Sequence, residues 1–291
     1  MIVVLTADAA FFTPFEELRH AHTARSFGLY GSNILFAIRC TDSFASDVVR
    51  DPLLHTWSLS VEEQFYLIYA PLVALIAMRV RGMSRFNSFF RNAGVVLSLA
   101  SFAGCLFLRR MYPVIAFYVL PARAWEFGIG ALAVIVVRRL PSRPIRHAQW
   151  ISALSFIVLV ASGLLTTERV SHPGWITLLP TLATAGIMIS GARGVTVIGG
   201  LLSSEPLRFI GRLSYSWYLW HWPFLVFFAE TVPHPSPTAS LIVVIAALIP
   251  AAATYYLVEK PVRFPSCFNA AAWPRSLARS LSRHCRWDLP T

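Results

Sequence analysis

Three short stretches combine side chains capable of chemistry with neighbours that are otherwise greasy. Residues 51–66, DPLLHTWSLSVEEQFY, place His55, Ser58, Glu62 and Glu63 at the head of a run that is wholly apolar from Phe65 to Met78. At a helical period Ser58, Glu62 and Tyr66 share one face, and His55 lies a further turn back. Ionisable groups entering a membrane span are functional candidates by default, because each is costly there. A plainer use exists, because Thr56 or Ser58 can cap the helix and acids in a first turn complement its dipole. Two adjacent carboxylates exceed what a cap requires. Residues 120–130, LPARAWEFGIG, put Arg123 and Glu126 three apart on one helix side. They form either a self-neutralising pair or, with Arg123 turned towards Glu62 or Glu63, a charged pocket. Residues 213–224, LSYSWYLWHWPF, set Tyr218 three residues before His221, with Ser214 a turn earlier and aromatics on both sides. Such aromatics also collect at bilayer interfaces without any catalytic role.

His55, Ser58, Glu62, Glu63, Arg123, Glu126, Tyr218 and His221 are the candidate functional residues, since ionisable groups inside a membrane bundle cost several kcal/mol each. No metal site is expected, since Cys40, Cys105, Cys267 and Cys285 show no CxxC and no histidine at ligand spacing.

The elements that position these groups emerge from composition. Of 291 residues, 56% are hydrophobic and only 13% are charged, about half the charged share of a soluble domain. The apolar excess must face something other than water. Runs at 60–80, 93–108, 118–137, 149–166, 174–190, 213–230 and 239–259 are long enough to cross roughly 30 Å of hydrocarbon as helices. They lack the alternation of barrel strands, so the expected fold is all-α, a polytopic transmembrane bundle. Two N-terminal runs are ambiguous: 2–12 is too short to span, and 26–38 is broken by Ser26, Gly28, Gly31, Ser32 and Asn33. They read as a partial span and a re-entrant or interfacial segment.

The net charge of +11 is carried by arginines and the single Lys260. These fall between apolar runs rather than along one face, which argues against nucleic acid. Loop 79–91, loop 138–147, loop 191–212 and the segment 260–291 hold most of the cations, and such loops stay on the cytoplasmic side. The C-terminus is therefore expected in the cytoplasm. The stretch around 41–57, the connection 109–117, the loop 167–173 and the Pro-rich 231–238 then fall on the opposite face. No signal peptide and no internal repeat is evident. The basic tail 265–291, with Trp273 and Trp287 among arginines, either rests on anionic headgroups or is solvated.

The three stretches, in this order, resemble the acyltransferase-3 family of membrane O-acyltransferases that acetylate lipopolysaccharide, exopolysaccharide and peptidoglycan-type glycans. PLLHTWSLSVEEQFY at 52–66 is similar to that family's most distinctive string. PARAWEFGIG at 121–130 resembles its R-x-W-E-x-x-x-G helix, GRLSYSWYLWHWP at 211–223 its penultimate helix, and YYLVEKPVRF at 255–264 the end of its domain. The resemblance makes 1–264 the membrane domain, with no appended SGNH domain. It implies an acyl-CoA donor, acetyl-CoA in the usual case, an envelope glycan acceptor, no bound cofactor, and a polar substrate and donor cavity lined by His55, Ser58, Arg123, Glu126 and Tyr218, with His221, Glu62 and Glu63 as the catalytic groups: His221 an auxiliary base, and Glu62 and Glu63 either orienting it or holding Arg123. It places the chain in the bacterial inner membrane.

Family members normally begin with two more helices, the first bearing an Arg and a His that act in catalysis. FFTPFEEL at 11–18 resembles the stretch just after the family's third helix. The chain is therefore expected to start within that helix and to lack the principal histidine: either the start codon was called too late, or the gene is a remnant, or a partner chain supplies the missing helices, with a homo-oligomer a further option. The alternatives are a transporter or flippase for a polar envelope precursor, in which buried charges bind solute near the midplane, and a non-catalytic remnant.

Overall fold

The computed structural model describes residues 1–41, 45–79, 83–139, 147–165, 173–192 and 194–263. All regular elements among them are helical, as a chain whose backbone must satisfy itself in lipid requires. The tail 265–291 lies outside the described residues. The chain divides into two units, Met1–Arg208 and Phe209–Thr291.

The first unit opens with three short helices: α1 (Ile2–Phe11), α2 (Pro14–Gly28) and α3 (Ser32–Arg39). Thr13 and Glu16 form a reciprocal capping box at the start of α2, with Pro14 as its first residue. The 26–38 run is thus not one segment. It breaks at a turn in which Tyr30 adopts φ 55°, and neither flanking helix is long enough to cross a bilayer. A 3₁₀ turn (Ala45–Arg50) leads to α4 (Thr56–Arg79), α5 (Met83–Met111), the short α6 (Pro113–Tyr118) and α7 (Leu120–Arg139). Then come α8 (Ala148–Leu165), α9 (Trp175–Gly191), α10 (Val197–Leu202) and the start of α11 (Glu205–Thr231).

Packing is closest between α5 and α7 and between α8 and α9. Both pairs use small residues: a Cβ added at Gly128 would overlap the Ser98 hydroxyl, and one at Gly186 would overlap that of Ser155. With no hydrophobic drive between helices in lipid, such close backbone approach supplies the van der Waals contact. Ser101 of α5 reaches into α7, donating to the Pro121 carbonyl at 2.6 Å and accepting from the Trp125 N–H at 3.0 Å. It thereby bridges the two groups that an α-helix would join directly. The outward surfaces stay apolar; on α8, Leu154, Ile157 and Leu164 are all exposed, Leu164 by 80%. A surrounding bilayer makes that favourable.

In the second unit α11 is paired with a returning rod made of α12 (Pro237–Ala246), α13 (Leu248–Thr254), a π-helical turn (Tyr255–Glu259) and α14 (Lys260–Arg263). Trp217 Nε1 donates to the Val244 carbonyl and Trp220 Nε1 to Thr254 Oγ1, both at 2.8 Å. Ser216 Oγ donates to Glu259 Oε2 at 2.8 Å. The π turn ends two residues before Pro261, which has no N–H to continue the α ladder.

By length and composition, five helical stretches can span a membrane: Thr56–Arg79, Ser88–Met111, Pro113–Arg139, Ala148–Leu165 and Pro237–Arg263. The sequence suggests seven. The run 174–190 lies in the 17-residue α9. The run 213–230 lies in α11, whose opening turns carry Glu205, Arg208 and Arg212. Both positions are helical, and with the five spans they make an all-α polytopic bundle.

Candidate functional site

The site begins at Asp51, the residue before the turn that starts α4. This carboxylate is 2% exposed and fully engaged. Oδ1 accepts from the Leu53 N–H at 2.9 Å, while Oδ2 accepts from Thr23 Oγ1 at 2.6 Å and from Arg39 Nη1 at 3.2 Å. Burial pushes the Asp51 carboxyl above the ordinary aspartate range and lowers the Arg39 guanidinium, while the bonds from Thr23, Leu53 and Arg39 act against the Asp51 rise. Two α2 groups join in, since Arg39 also donates to Thr23 Oγ1 and to the Arg19 carbonyl.

The turn is then locked to α3. Thr56 Oγ1 donates to the Leu53 carbonyl at 2.6 Å and to Ser32 Oγ at 3.3 Å, and Ser32 and Ser60 hydroxyls bond at 2.7 Å. Asn33 and Gln64 exchange side-chain hydrogen bonds, and Asn33 also donates to the Tyr118 carbonyl. Thr56 and Ser58, the residues expected to cap α4, instead donate backwards, Ser58 to the His55 carbonyl at 3.3 Å.

This scaffold delivers the first turns of α4 and α7 to a common cavity of about 400 Å³, lined by Trp57, Ser58, Val61, Glu62, Phe117, Arg123, Glu126 and Phe127. Arg123 is held from several directions. Nη2 donates to Glu126 Oε2 at 3.5 Å and Nη1 to the Phe117 carbonyl at 3.4 Å. The guanidinium lies over the rings of Trp57 and Phe117, 5.1 and 5.7 Å from their centroids, geometry suited to cation–π attraction. Trp57 packs on Phe117 and Tyr118 in turn, and Phe65 stacks on Phe127. Tyr66 donates to Glu62 Oε1 at 2.9 Å, one helical turn along, as their shared face implies. Glu126 Oε1 is buried and has no hydrogen-bond partner among the described residues.

Of the residues singled out in sequence, Ser58, Glu62, Arg123 and Glu126 therefore meet in one cavity. Arg123 takes Glu126 as its carboxylate partner rather than Glu62 or Glu63. Glu63 is half-buried beside Glu62 but does not line the cavity, and His55 is buried in the turn that precedes α4. His221 and Tyr218 belong to the second unit. There His221 Nδ1 faces the Tyr218 carbonyl at 2.7 Å, with the two rings 5.3 Å apart. A carbonyl only accepts, so Nδ1 is the donor in this contact.

The sequence motifs missed a second buried polar group. His20 Nδ1 lies 2.9 Å from both carboxylate oxygens of Asp8, and both residues are almost wholly buried, with Phe12 edge-on to the imidazole. The signal that could have found it was Asp8 itself, an acid inside an otherwise apolar run. Among the described residues no His, Cys, Asp and Glu cluster could hold a metal ion.

Chemically, the cavity offers two carboxylates able to take a proton, a fixed guanidinium able to steady negative charge, a hydroxyl and flat aromatic walls. Compared with known proteins, residues 24–256 match the family model described as an acyltransferase domain, acyltransferase-3. BcsY of Komagataeibacter xylinus, a provisionally named membrane-bound transacylase, is 31% identical over 241 residues, covering 80% of this chain and 56% of that protein. YrhL of Bacillus subtilis, a provisionally named peptidoglycan O-acetyltransferase, is 30% identical over 83% of this chain and 40% of its own length. The peptidoglycan O-acetyltransferase OatA of Listeria monocytogenes is 28% identical over 90% of this chain and 43% of its own. The chain thus spans about half the length, or less, of these relatives. No solved structure matches it.

Proposed function

This chain belongs to the acyltransferase-3 family, and from that premise we propose that it moves an acyl group, acetyl in the simplest case, from acyl-CoA to a hydroxyl of a cell-envelope carbohydrate. The observation that carries the reading is the convergence of Ser58 and Glu62 from α4 with Arg123 and Glu126 from α7 on one cavity inside an apolar bundle. Ionisable groups in such surroundings are costly and are kept for work. Ester formation at a hydroxyl needs a base for its proton and a positive group for the oxyanion that develops on the acyl carbonyl. A cavity carboxylate serves as the base. Arg123, fixed by Glu126, the Phe117 carbonyl and two rings, supplies the charge without having to reorganise during the reaction. His221 serves as an auxiliary base. The donor's phosphates meet arginines at the cytoplasmic mouth. The protein sits in the bacterial cytoplasmic membrane with its C-terminus inside, as the arginine-rich loops favour.

The test is the O-acetyl ester content of envelope glycan in cells that depend on this protein within its full natural context. Arg123→Ala, Glu62→Ala and His221→Ala should each lower the ester at least a hundredfold, in line with loss of a base or an oxyanion donor. Full ester content in all three variants would overturn the assignment.

A further inference from the structure

The cavity is unbalanced in charge. It presents two carboxylates, Glu62 and Glu126, against one guanidinium, and that guanidinium is already committed to Glu126, the Phe117 carbonyl and two aromatic faces. We propose that this cavity seats the hydroxyl-bearing acceptor and turns away the phosphorylated end of the acyl donor. The proposal rests on the acyltransferase reading of the same site and goes further by assigning which substrate occupies it.

Three observations carry it. Glu126 Oε1 is buried without a hydrogen-bond partner among the described residues. A carboxylate oxygen only accepts, so its missing partner is a donor, such as a ligand hydroxyl; a phosphate is an acceptor and cannot fill that role. The walls formed by Trp57, Phe117 and Phe127 are flat and apolar, suited to the C–H face of a sugar ring rather than to a charged group. Finally, the other cations of the two lining helices are remote. Arg79 ends α4 and Arg138 and Arg139 end α7, which puts them roughly 22–25 Å along the axes from Arg123 and Glu62 at about 1.5 Å per residue. Arg109 and Arg110, at the end of α5, lie outside the lining. Arg39 and Arg50 are held by Asp51 and Glu16.

Atoms and electrons balance in the resulting step. The hydroxyl oxygen of the acceptor bonds to the acyl carbon of the thioester while Glu126 takes the hydroxyl proton. The C–S bond breaks, and the thiolate leaves with the electron pair and gains a proton from water. Glu126 passes its proton back to solvent.

The charge of the cavity can be read directly, without a turnover assay. In the full chain, with Cys40, Cys105, Cys267 and Cys285 replaced by serine, Ser58→Cys is reacted with a cationic trimethylammonium methanethiosulfonate and with its anionic sulfonate counterpart. Rates are normalised to those of a free thiol. The cationic reagent should react about tenfold faster, as a cleft of one sign focuses the opposite charge, and Glu126→Gln should erase most of that preference. Adenosine 3′,5′-bisphosphate, the phosphorylated end of coenzyme A, should not protect the thiol. Equal or faster reaction of the anionic reagent, reaction with neither reagent, or protection by the bisphosphate would each overturn the proposal. Val61→Cys, on the same lining, provides a second reporter if Ser58→Cys does not fold. A cationic preference alongside unaltered ester content in the Arg123 and Glu62 variants would refute the acyltransferase reading and leave the charge assignment standing.

Discussion

Asp51 shows how a residue outside the cavity controls it. Its carboxylate joins α2, through Thr23, and α3, through Arg39, to the Leu53 amide at the head of the turn that carries Trp57 and Ser58 into position. Arg39→Ala would leave that buried charge without its cation, which costs about 3–5 kcal/mol when a buried pair is broken from one side. Asp51→Asn keeps an acceptor for the Leu53 amide and should cost less. Thermal unfolding in detergent should rank Arg39→Ala below Asp51→Asn and both below the parent, with Arg39→Lys recovering part of the loss. Equal stability of all four proteins would dismiss the clamp. None of this network was legible in sequence, because Thr23 and Asp51 are 28 positions apart and no periodicity links them. The Asp8–His20 pair escaped for the same reason. By contrast, Glu62 with Tyr66 and Arg123 with Glu126 are one helical turn apart, so their contacts could be read from spacing alone.

At the scale of elements, the helices owe their ends to local chemistry and their bodies to lipid. The capping box of α2 illustrates the first point. Glu16 Oε2 accepts from the Thr13 N–H at 3.0 Å and from its hydroxyl at 2.9 Å. The Thr13 bond, with Arg50 nearby as a lesser cause, draws the Glu16 carboxyl below its ordinary value of 4.5. An acid whose pKa is depressed by folding stabilises the fold above its unfolded value, and that contribution disappears as pH falls through the folded one. Stability should therefore drop on acidification below about pH 4.5, with a smaller drop in Glu16→Gln, and Thr13→Ala should cost about 1 kcal/mol at neutral pH. Denaturation midpoints across pH in detergent would measure both. An unchanged acid slope in Glu16→Gln would show that the cap contributes nothing. The apolar runs announced where long helices lie. The glycines and small polar residues of 26–38 also announced the break at Tyr30; the charged opening turns of α11 were not announced, since run length alone does not register where a polar helix continues past an apolar one.

The whole molecule is a multi-pass bundle whose apolar exterior faces lipid and whose first unit carries a charged, half-open cavity at one end of α4 and α7. His221 lies in the other unit, on a helix stitched to its neighbour by Ser216, Trp217 and Trp220. The central claim is that Glu62 and Arg123, 61 positions apart in the chain, act on one bound substrate as a unit. A double-mutant cycle on acyl-transfer rate tests it most directly. If the claim is right, Glu62→Ala combined with Arg123→Ala loses little more activity than the worse single variant, because groups that act together are strongly non-additive. If the two losses instead add to within about 0.5 kcal/mol, as for independent sites, the two residues do not share a site and the claim fails.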